Sequence, residues 1–535
     1  MSPADDELST APPRHPGLWF ALVATLSPLV YCWYTQHIWE DFFILFRHSV
    51  NLVEGNGLVF NPGERVHGYT SPLGVLAPAL AYLVSGKDGY LGAIWVYRAL
   101  NIGLFVTAGL LTVRSFPQPG HNRLGVVLFT LLIATEAKSI VYLSSGMETA
   151  FVLVFLSTYL YTLHRSERRG TQPGLDSAWR GLGISCAGLM WSRPDCALYI
   201  ALLFVATLLF RPGPRGSTFA TLLKAAGLCT VLYLPWFVWA WIYYGSPVPH
   251  SVVAKSAVLE NFVLSWAEIV EVLQAVYSPV YYTFGGWPAW MPAWSLLMAA
   301  LPALYWMLPT SDHLGRIASF VFFGLLGYYV LAPGAPWYYP PMAFLGLVVW
   351  GRAACAFAAS AQPLAWRRVA LWTLIVLLGT GSVRLMIGTS NQMKVSQLIV
   401  EDGNRTRLGL WLKENVQPDE NVYLEPLGYL GYFSGVRIDD YPGLVSPRVV
   451  ELLNASPRAR YQTIVEELDP DWVVLRPWRL ERMPPSFTRD YRRVKTFDVT
   501  RYVLTYQGLP GMGYLLADAV FYVYKRDRSG ADAPR

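Results

Sequence analysis

Glu40-Asp41-Phe42-Phe43-Ile44-Leu45-Phe46-Arg47 decides how this chain is read. It follows directly on a membrane-length apolar run at about 18–33. It leads into Asn51-Leu-Val-Glu-Gly-Asn-Gly-Leu-Val-Phe-Asn-Pro-Gly-Glu-Arg-Val-His-Gly-Tyr-Thr-Ser-Pro72. Two adjacent carboxylates where a helix leaves a bilayer are expensive to keep, and ionisable groups in that setting point to function. Glu40, Arg47, Asn51 and Glu54 recur at near-helical spacing, with Asp41 and His48 on the adjoining stripe. Phe42, Phe46, Val50 and Val53 make the opposite face. This pattern predicts an amphipathic helix lying on the membrane, polar side toward a cavity. Asn56-Gly57 and Pro62-Gly63 then mark turns.

The rest of the chain fits a membrane setting. Of 535 residues, 53% are hydrophobic and 15% charged, against roughly 25% charged in soluble domains. Mean hydropathy is +0.32. Most of the chain is therefore solvated by lipid. The net charge of +6 is spread over short loops, with no basic stripe interleaved with aromatics, which argues against nucleic-acid binding. The five cysteines lie in or beside apolar segments without the spacing of a zinc site or a disulfide framework, and read as small buried hydrophobes. No small-residue cleavage site follows the first apolar run, which reads as an uncleaved span.

Further apolar stretches lie at about 90–113, 124–143, 148–163, 181–191, 196–210, 218–242, 293–308, 315–332, 339–358 and 369–388. Arg193-Pro194-Asp195 divides 181–210 into two spans at a water-facing turn. Segment 71–85 is short and holds Pro72 and Pro78. If it stays juxtamembrane, Arg114 and Arg123, Arg165, Arg168, Arg169 and Arg180, Arg211 and Arg215, Arg316, and Arg367 and Arg368 all share one side. The positive-inside rule makes that side cytoplasmic. The expected architecture is an α-helical polytopic membrane protein of about 11 spans over 1–388, with a first outer loop at 37–89. Residues 389–535 follow as an extracytoplasmic α/β domain. There β-type runs at 422–425, 472–475, 501–505 and 519–524 flank helix candidates at 404–415 and 458–468. Asn404-Arg-Thr and Asn454-Ala-Ser match glycosylation sequons.

This topology collects 37–89, 144–147, 192–195, 243–292 and the turn Pro333-Gly-Ala-Pro-Trp-Tyr-Tyr-Pro340 on the outer side. The motifs there resemble a known family. Glu40-Asp41-Phe-Phe-Ile with Arg47, Glu54-Gly-Asn-Gly-Leu-Val-Phe-Asn-Pro-Gly-Glu64 and Gly68-Tyr-Thr-Ser-Pro72 look like the first loop of GT-C fold, polyprenyl-phosphate-sugar-dependent glycosyltransferases. The mycobacterial terminal arabinofuranosyltransferases and their bacterial relatives are the nearest group. Ser145-Gly-Met-Glu-Thr149 resembles that group's Ser-Gly-Leu-Glu-Thr, and Ser192-Arg-Pro-Asp195 its Arg-Pro-Asp turn. Tyr243-Tyr-Gly-Ser-Pro-Val-Pro-His-Ser-Val-Val-Ala-Lys255 resembles its Tyr-Tyr-Gly loop, with His250 in place of the usual Asn. Trp337-Tyr338 resembles its aromatic pair before a late span.

The resemblance implies a GT-C core that moves a sugar from a polyprenyl-phosphate donor to an acceptor hydroxyl on an envelope glycan, glycolipid or protein. The site would face outward from the bacterial inner membrane. Arabinofuranose is the first expectation for the sugar; mannose or another hexose follows. Such chemistry needs a base, a cationic clamp for the leaving phosphate and a shaped sugar pocket. The base is expected to be Asp41, with Glu40 as polar neighbour or substitute. Lys255, Arg193 and His250 are expected to hold the donor phosphate. Arg47, His67, Tyr69, Glu148, Asp195, Trp337 and Tyr338 are expected to contact substrate. Arg193 paired to Asp195, or Glu148 serving only as a helix N-terminal acid, are the plainer alternatives. A divalent cation between Asp41 and the donor phosphate is compatible with this chemistry, but no metal-spaced cluster stands in the sequence, and there is no nucleotide fingerprint. A transporter or flippase for a lipid-linked sugar would call for related repeats and polar residues deep in several spans. A non-catalytic membrane scaffold is the third reading.

Overall fold

The structure is a computed structural model and describes residues 16–117, 123–168, 172–256, 265–310, 312–332, 334–359, 365–455 and 461–527. The polar N-terminal tail, Arg169, Pro333 and the middle of the 243–292 loop lie outside the described residues. So does the start of the helix candidate at 458–468.

Every apolar stretch read from the sequence is helical, because a backbone in hydrocarbon must satisfy its hydrogen bonds internally. Six described helices are long and apolar enough to cross a membrane, seven if one bent pair counts as a span. Cys196–Phe210 is among the shorter apolar helices. Arg215–Tyr244 turns Leu223, Val231 and Ile242 outward as lipid-facing side chains. Pro72–Val84 is a separate 13-residue helix, with Ser71 as its N-cap accepting from Gly74 N (2.8 Å). As expected, the helix Gln172–Ser192 stops before Arg193-Pro194-Asp195 and Cys196–Phe210 begins after it. The stretch 124–143 is bent by 53° between Thr135 and Ala137. The Glu136 carboxylate caps the second piece, accepting from Lys138 N (3.1 Å) and Ser139 N (2.7 Å), so the break leaves those donors satisfied.

The bundle has two distinct ends. At one, Arg352 donates to Ser115 O (2.6 Å) and pairs with Asp312, and Arg316 lies 4.4 Å over the Phe210 ring. The other end carries the first loop, the 145–149 and 193–195 turns, the helix His250–Ser256 and the short turn Pro336–Tyr338.

The last long helix, Ala365–Val395, runs without a break through a wide π-type stretch, Ser396–Thr406, into Arg407–Asn415. The sheet behind it has the order β2-β1-β3-β5-β4. Its strands are β1 (Asn421–Leu424), β2 (Arg437–Asp440), β3 (Trp472–Leu475), β4 (Tyr491–Asp498) and β5 (Val520–Arg526). β1 is parallel to both β2 and β3; β5 is antiparallel to β3 and β4. The run at 501–505, expected as a strand, is helical instead: it holds Thr500–Val503 and the start of Leu504–Tyr506. There Val503 packs with Val400 and Leu515, so tertiary burial overrides β propensity. Two strands lie outside the expected runs, both at sheet edges: β2, Arg437-Ile-Asp-Asp440, and β4, which bears Arg492, Arg493 and Lys495. Charged edges deter further pairing, and they also hide the hydrophobic alternation that reveals a strand. Asn404 is fully buried and donates to Asp518 O and Ala519 O (both 3.1 Å), so its sequon is closed to modification.

The C-terminal part does not stand apart from the first loop. Ile44 and Phe60 belong to the same buried cluster as Leu408, Leu424, Leu430 and Phe521. Arg47 donates to Phe60 O (2.9 Å), Val436 O (2.8 Å) and Gly431 O, and its guanidinium lies 4.2 Å over the Phe60 ring.

Candidate active site

The helix Glu40–Val53 forms as its spacing predicts, but its environment differs from the expectation. Phe42, Phe43 and Phe46 bury against Tyr97, Tyr82 and Tyr429. The polar stripe does not face a cavity: Glu40 turns to Arg405, Glu54 accepts from the Tyr82 hydroxyl (3.3 Å), and Arg47 and Asn51 face backbone. Arg47 is spent on the three carbonyls named above, and Asn51 Nδ2 donates to Val59 O (2.9 Å) and Phe60 O (3.0 Å). A third stripe, Asp41, Ile44 and Leu45, faces a cleft.

Two devices place the start of this helix. Trp39 N donates to Ser145 O (2.9 Å), and the Trp39 ring stacks on Tyr281 with centroids 5.6 Å apart. Gly146, at φ +99°, lets the turn before Glu148 pass over Phe42: a Cβ there would lie 2.5 Å from Phe42 Cδ2.

The acidic pair is split between two surroundings. The Glu40 carboxylate turns to the C-terminal region, paired with Arg405 Nη1 (2.8 Å) and accepting from Gly428 N (3.3 Å). Arg405 also pairs with Glu401 (2.9 Å) and Asp518. Glu40 is thus a strut in an ion network and does not line the cleft. Asp41 does. Among the described residues no group donates a hydrogen bond to its carboxylate. Burial pushes the Asp41 carboxyl up to about 6; Lys255 opposes this, while Glu40 and Glu148 add to it.

Lys255 is the cation facing Asp41. Its Nζ lies 5.9 Å from the Trp337 ring centroid, and among the described residues no carboxylate pairs with it. Arg193 also lines the cleft but is already committed. Asp195 grips it at 2.9 and 3.0 Å, Glu148 lies 3.6 Å away, and its guanidinium sits 4.1 Å over the Tyr338 ring. The plainer alternative for Arg193 is therefore realised, and Lys255 carries the charge left for a ligand. Glu148 Oε2 and Ser251 Oγ line the same cleft, buried and without hydrogen-bond partners among the described residues.

Of the residues expected in the site, Asp41, Tyr69, Glu148, Arg193, Lys255, Trp337 and Tyr338 meet there. Glu40, Arg47, His67, Asp195 and His250 do not. His67 stacks on Tyr244 (4.5 Å, 11°) and lends its carbonyl to His250 N (2.9 Å). The His250 ring stands against the backbone of Gly443 and Ser446. Burial lowers both imidazoles, His67 to about 3, so neither supplies positive charge to a phosphate. Thr70, Ser71 and Ser251 join the lining and were not singled out for the site from sequence. Ser251 had a signal, standing one helical turn before Lys255. Leu444 lines the cleft too; its turn, Asp439-Asp440-Tyr-Pro-Gly-Leu444, is one that the sequence allows to face the site, with a plain surface turn as the alternative for the two carboxylates.

Among the described residues no three metal-ligating side chains converge. Of the carboxylates near the cleft, Glu40 is taken by Arg405, and Glu148 faces Arg193. The protein groups here do not fit a cation held by side chains alone.

The chain matches the domain of unknown function DUF8728 over residues 392–524. It is 30% identical over 259 residues to a terminal beta-(1->2)-arabinofuranosyltransferase of Corynebacterium glutamicum, covering 44% of this chain and 36% of the relative. A like-named enzyme of Mycobacterium tuberculosis is 30% identical over 194 residues, covering 34% of this chain and 26% of the relative. The match thus spans about a third of the length of these curated relatives. In structure the chain is similar to ArnT from Cupriavidus metallidurans bound to undecaprenyl phosphate, with TM-score 0.52, 12% identity and coverage of 97% and 99% of the two chains. It is equally similar to the archaeal oligosaccharyltransferase AglB from Archaeoglobus fulgidus in complex with an inhibitory peptide and a dolichol-phosphate, with TM-score 0.52, 12% identity and coverage of 98% and 75%. The fold is that of GT-C membrane proteins, a multi-pass helical core with a small C-terminal sheet domain. The resemblance read from the first-loop motifs agrees with the sequence matches.

Proposed function

We propose that this chain is a membrane glycosyltransferase that moves a sugar from a polyprenyl-phosphate donor to an acceptor hydroxyl, at the outer face of the bacterial inner membrane. The observation that carries the reading is the Asp41 carboxylate, facing Lys255 across a cleft, with no hydrogen-bond donor to the one and no carboxylate paired to the other among the described residues. Asp41 takes the proton of the acceptor hydroxyl. The freed oxygen attacks the anomeric carbon, and the bond from that carbon to the phosphate oxygen breaks, its electron pair leaving with the phosphate. Lys255 stabilises the charge gained by that phosphate, and such preorganised stabilisation is a large part of transfer catalysis. Arg193, held by Asp195 and Glu148, shapes the site beside it. Trp337 and Tyr338 flank the two cations and form the side by which a lipid-borne donor enters.

Arabinofuranose is the sugar proposed first, since the curated relatives bear that name; a hexose is the next choice. The acceptor is an envelope glycan, glycolipid or protein. The outward orientation is supported by the basic residues gathered at the opposite end of the bundle. The test is reconstitution with decaprenyl-phosphate arabinofuranose and a hexose counterpart, offered with envelope oligosaccharides, comparing wild type with Asp41→Asn. Transfer by wild type and its loss in the variant support the proposal. Robust transfer by Asp41→Asn overturns the role of Asp41. No transfer by the wild-type chain from either donor favours a lipid-linked-sugar transporter.

A further inference from the structure

Arg98 stands in the helix Tyr90–Arg114 and is 2% exposed. Among the described residues no carboxylate pairs with it. An ionisable group buried in a membrane span without a counter-charge is costly, and its partners point to its use. Here the partners are two carbonyls from separate parts of the chain. Arg98 Nε donates to Ser144 O (2.8 Å) and Nη2 to His37 O (2.7 Å). Asn101 follows one helical turn later on the same face, fully buried. Its Nδ2 donates to Leu143 O (3.0 Å) and Met147 O (3.3 Å).

These carbonyls lie directly under the two carboxylates of the cleft. His37 comes four residues before Asp41, and Ser144 four before Glu148. The helix Ala137–Ser144 ends at Ser144, so its last carbonyls have no partner within the helix and favour a cation. The stretch 37–39 has every backbone group occupied. His37 N donates to Thr35 Oγ1 (3.2 Å), Ile38 N to Gln397 Oε1 (3.0 Å) and Trp39 N to Ser145 O (2.9 Å). Ile38 O accepts from the Tyr429 hydroxyl (3.0 Å), and Trp39 O from Phe42 N (3.1 Å). His37 Nδ1 and Ser145 Oγ, 3.0 Å apart, lace the two stretches again. Arg98 bonds both stretches at once.

We propose that Arg98 and Asn101 are positioning residues for sugar transfer: from one face of one helix they fix the backbone beneath Asp41 and the backbone beneath Glu148, and so set how the two carboxylates stand in the cleft. The inference rests on the glycosyl-transfer reading. The charged groups acting on Asp41 are Lys255 from the helix His250–Ser256, Glu40 from its own helix and Glu148 from the 145–149 turn. Arg98 bonds none of them and works through the backbone alone. A base must be held within hydrogen-bond reach of the acceptor hydroxyl, and a small misplacement is expensive. Lys255 is carried by a different element, tied down by His250 N on His67 O (2.9 Å). Loosening the clamp therefore disturbs the base and spares the phosphate side.

The test uses the full chain in nanodiscs and compares wild type with Arg98→Gln and the milder Asn101→Leu. Thermal unfolding establishes which variants are folded. Both variants are expected to lower kcat, by ~10²-fold for Arg98→Gln, with the donor KM and decaprenyl-phosphate binding unchanged. The pH profile separates positioning from folding. Burial is the largest cause that raises the Asp41 carboxyl, and Glu148 adds to it. Water entry and a displaced Glu148 both lower it, so the acid limb of the profile should move below about 6. Loss of folded protein would scale activity at every pH and leave that midpoint in place. Infrared difference spectra titrate the same carboxyl without turnover, its band assigned by its loss in Asp41→Asn. An unmoved Asp41 midpoint in folded variants overturns the proposal, as does a parallel loss of decaprenyl-phosphate binding. Failure of both variants to fold makes the pair structural only and overturns it too. A moved infrared midpoint, in a chain whose wild type transfers no sugar, overturns the transfer reading and leaves the clamp on Asp41 standing.

Discussion

Glu40 and Asp41 are neighbours in sequence with opposite fates. Successive residues of a helix point about 100° apart, so one faces Arg405 and the other the cleft. Asp41→Asn is expected to lower the transfer rate by ~10²–10⁴, the usual worth of a general base, whereas Glu40→Gln should keep most of it. Steady-state rates with a polyprenyl-phosphate donor check both. The base works as a carboxylate, and its pKa is raised to about 6. Activity should therefore fall as pH drops below about 6 and level off above it. Lys255 favours the ionised form, so Lys255→Gln should move the midpoint upward as well as raise the donor KM. A midpoint unmoved by that change would show that the two groups do not face each other in the working enzyme. The types of residue and their gathering at one end of the bundle were legible in the sequence. Which carboxylate meets the substrate was not, because that depends on Arg405, far along the chain.

At the scale of elements, the helix Glu40–Val53 was legible from spacing, but the use of its polar face was not. Arg47 and Asn51 look like cavity residues in a helical projection. In the fold they satisfy backbone carbonyls of the 58–61 segment and of the C-terminal region, which cannot go unpaired when buried. Arg47→Lys should destabilise the protein nearly as much as Arg47→Ala, since an ammonium cannot span three divergent acceptors. Thermal unfolding of the purified variants decides this. Gly146→Ala should lower stability by at least ~1–2 kcal/mol through its left-handed backbone alone, and further through contact with Phe42. Retention of wild-type melting behaviour would contradict the close approach described for that turn. In the sheet, β1, β3 and β5 were visible as buried apolar runs. The edge strands β2 and β4 were hidden by their charges, and 501–505 is helical with Val503 as its one buried residue.

The whole molecule couples the two ends of the chain. Ile44 and Phe60 share a core with Leu408, Leu424 and Phe521, and Glu40 joins Arg405, Glu401 and Asp518 in one ion network. Deleting 389–535 should leave the bundle inserted but free the first loop, seen as protease cleavage between residues 40 and 70 and loss of transfer, even though Asp41 remains. Protection of that loop in the truncated protein would argue that the C-terminal region only decorates the core. A boundary at 388 follows the end of apolarity, yet the helix continues through it into Arg407–Asn415.

The sequence by itself determined a membrane-embedded helical core, the turn at Arg193-Pro194-Asp195, and the concentration of reactive groups toward one end. Hydropathy, proline and loop charge act locally, and the lipid solvent enforces them whatever the rest of the chain does. Tertiary structure alone decided which of those groups are free to meet a substrate. Glu40, Arg47, Asp195 and the two histidines are occupied or turned away by partners, and Asp41, Lys255 and Ser251 are left open. Occupancy of a polar group by a hydrogen bond or an ion pair is a long-range property, and no local pattern of residues encodes it.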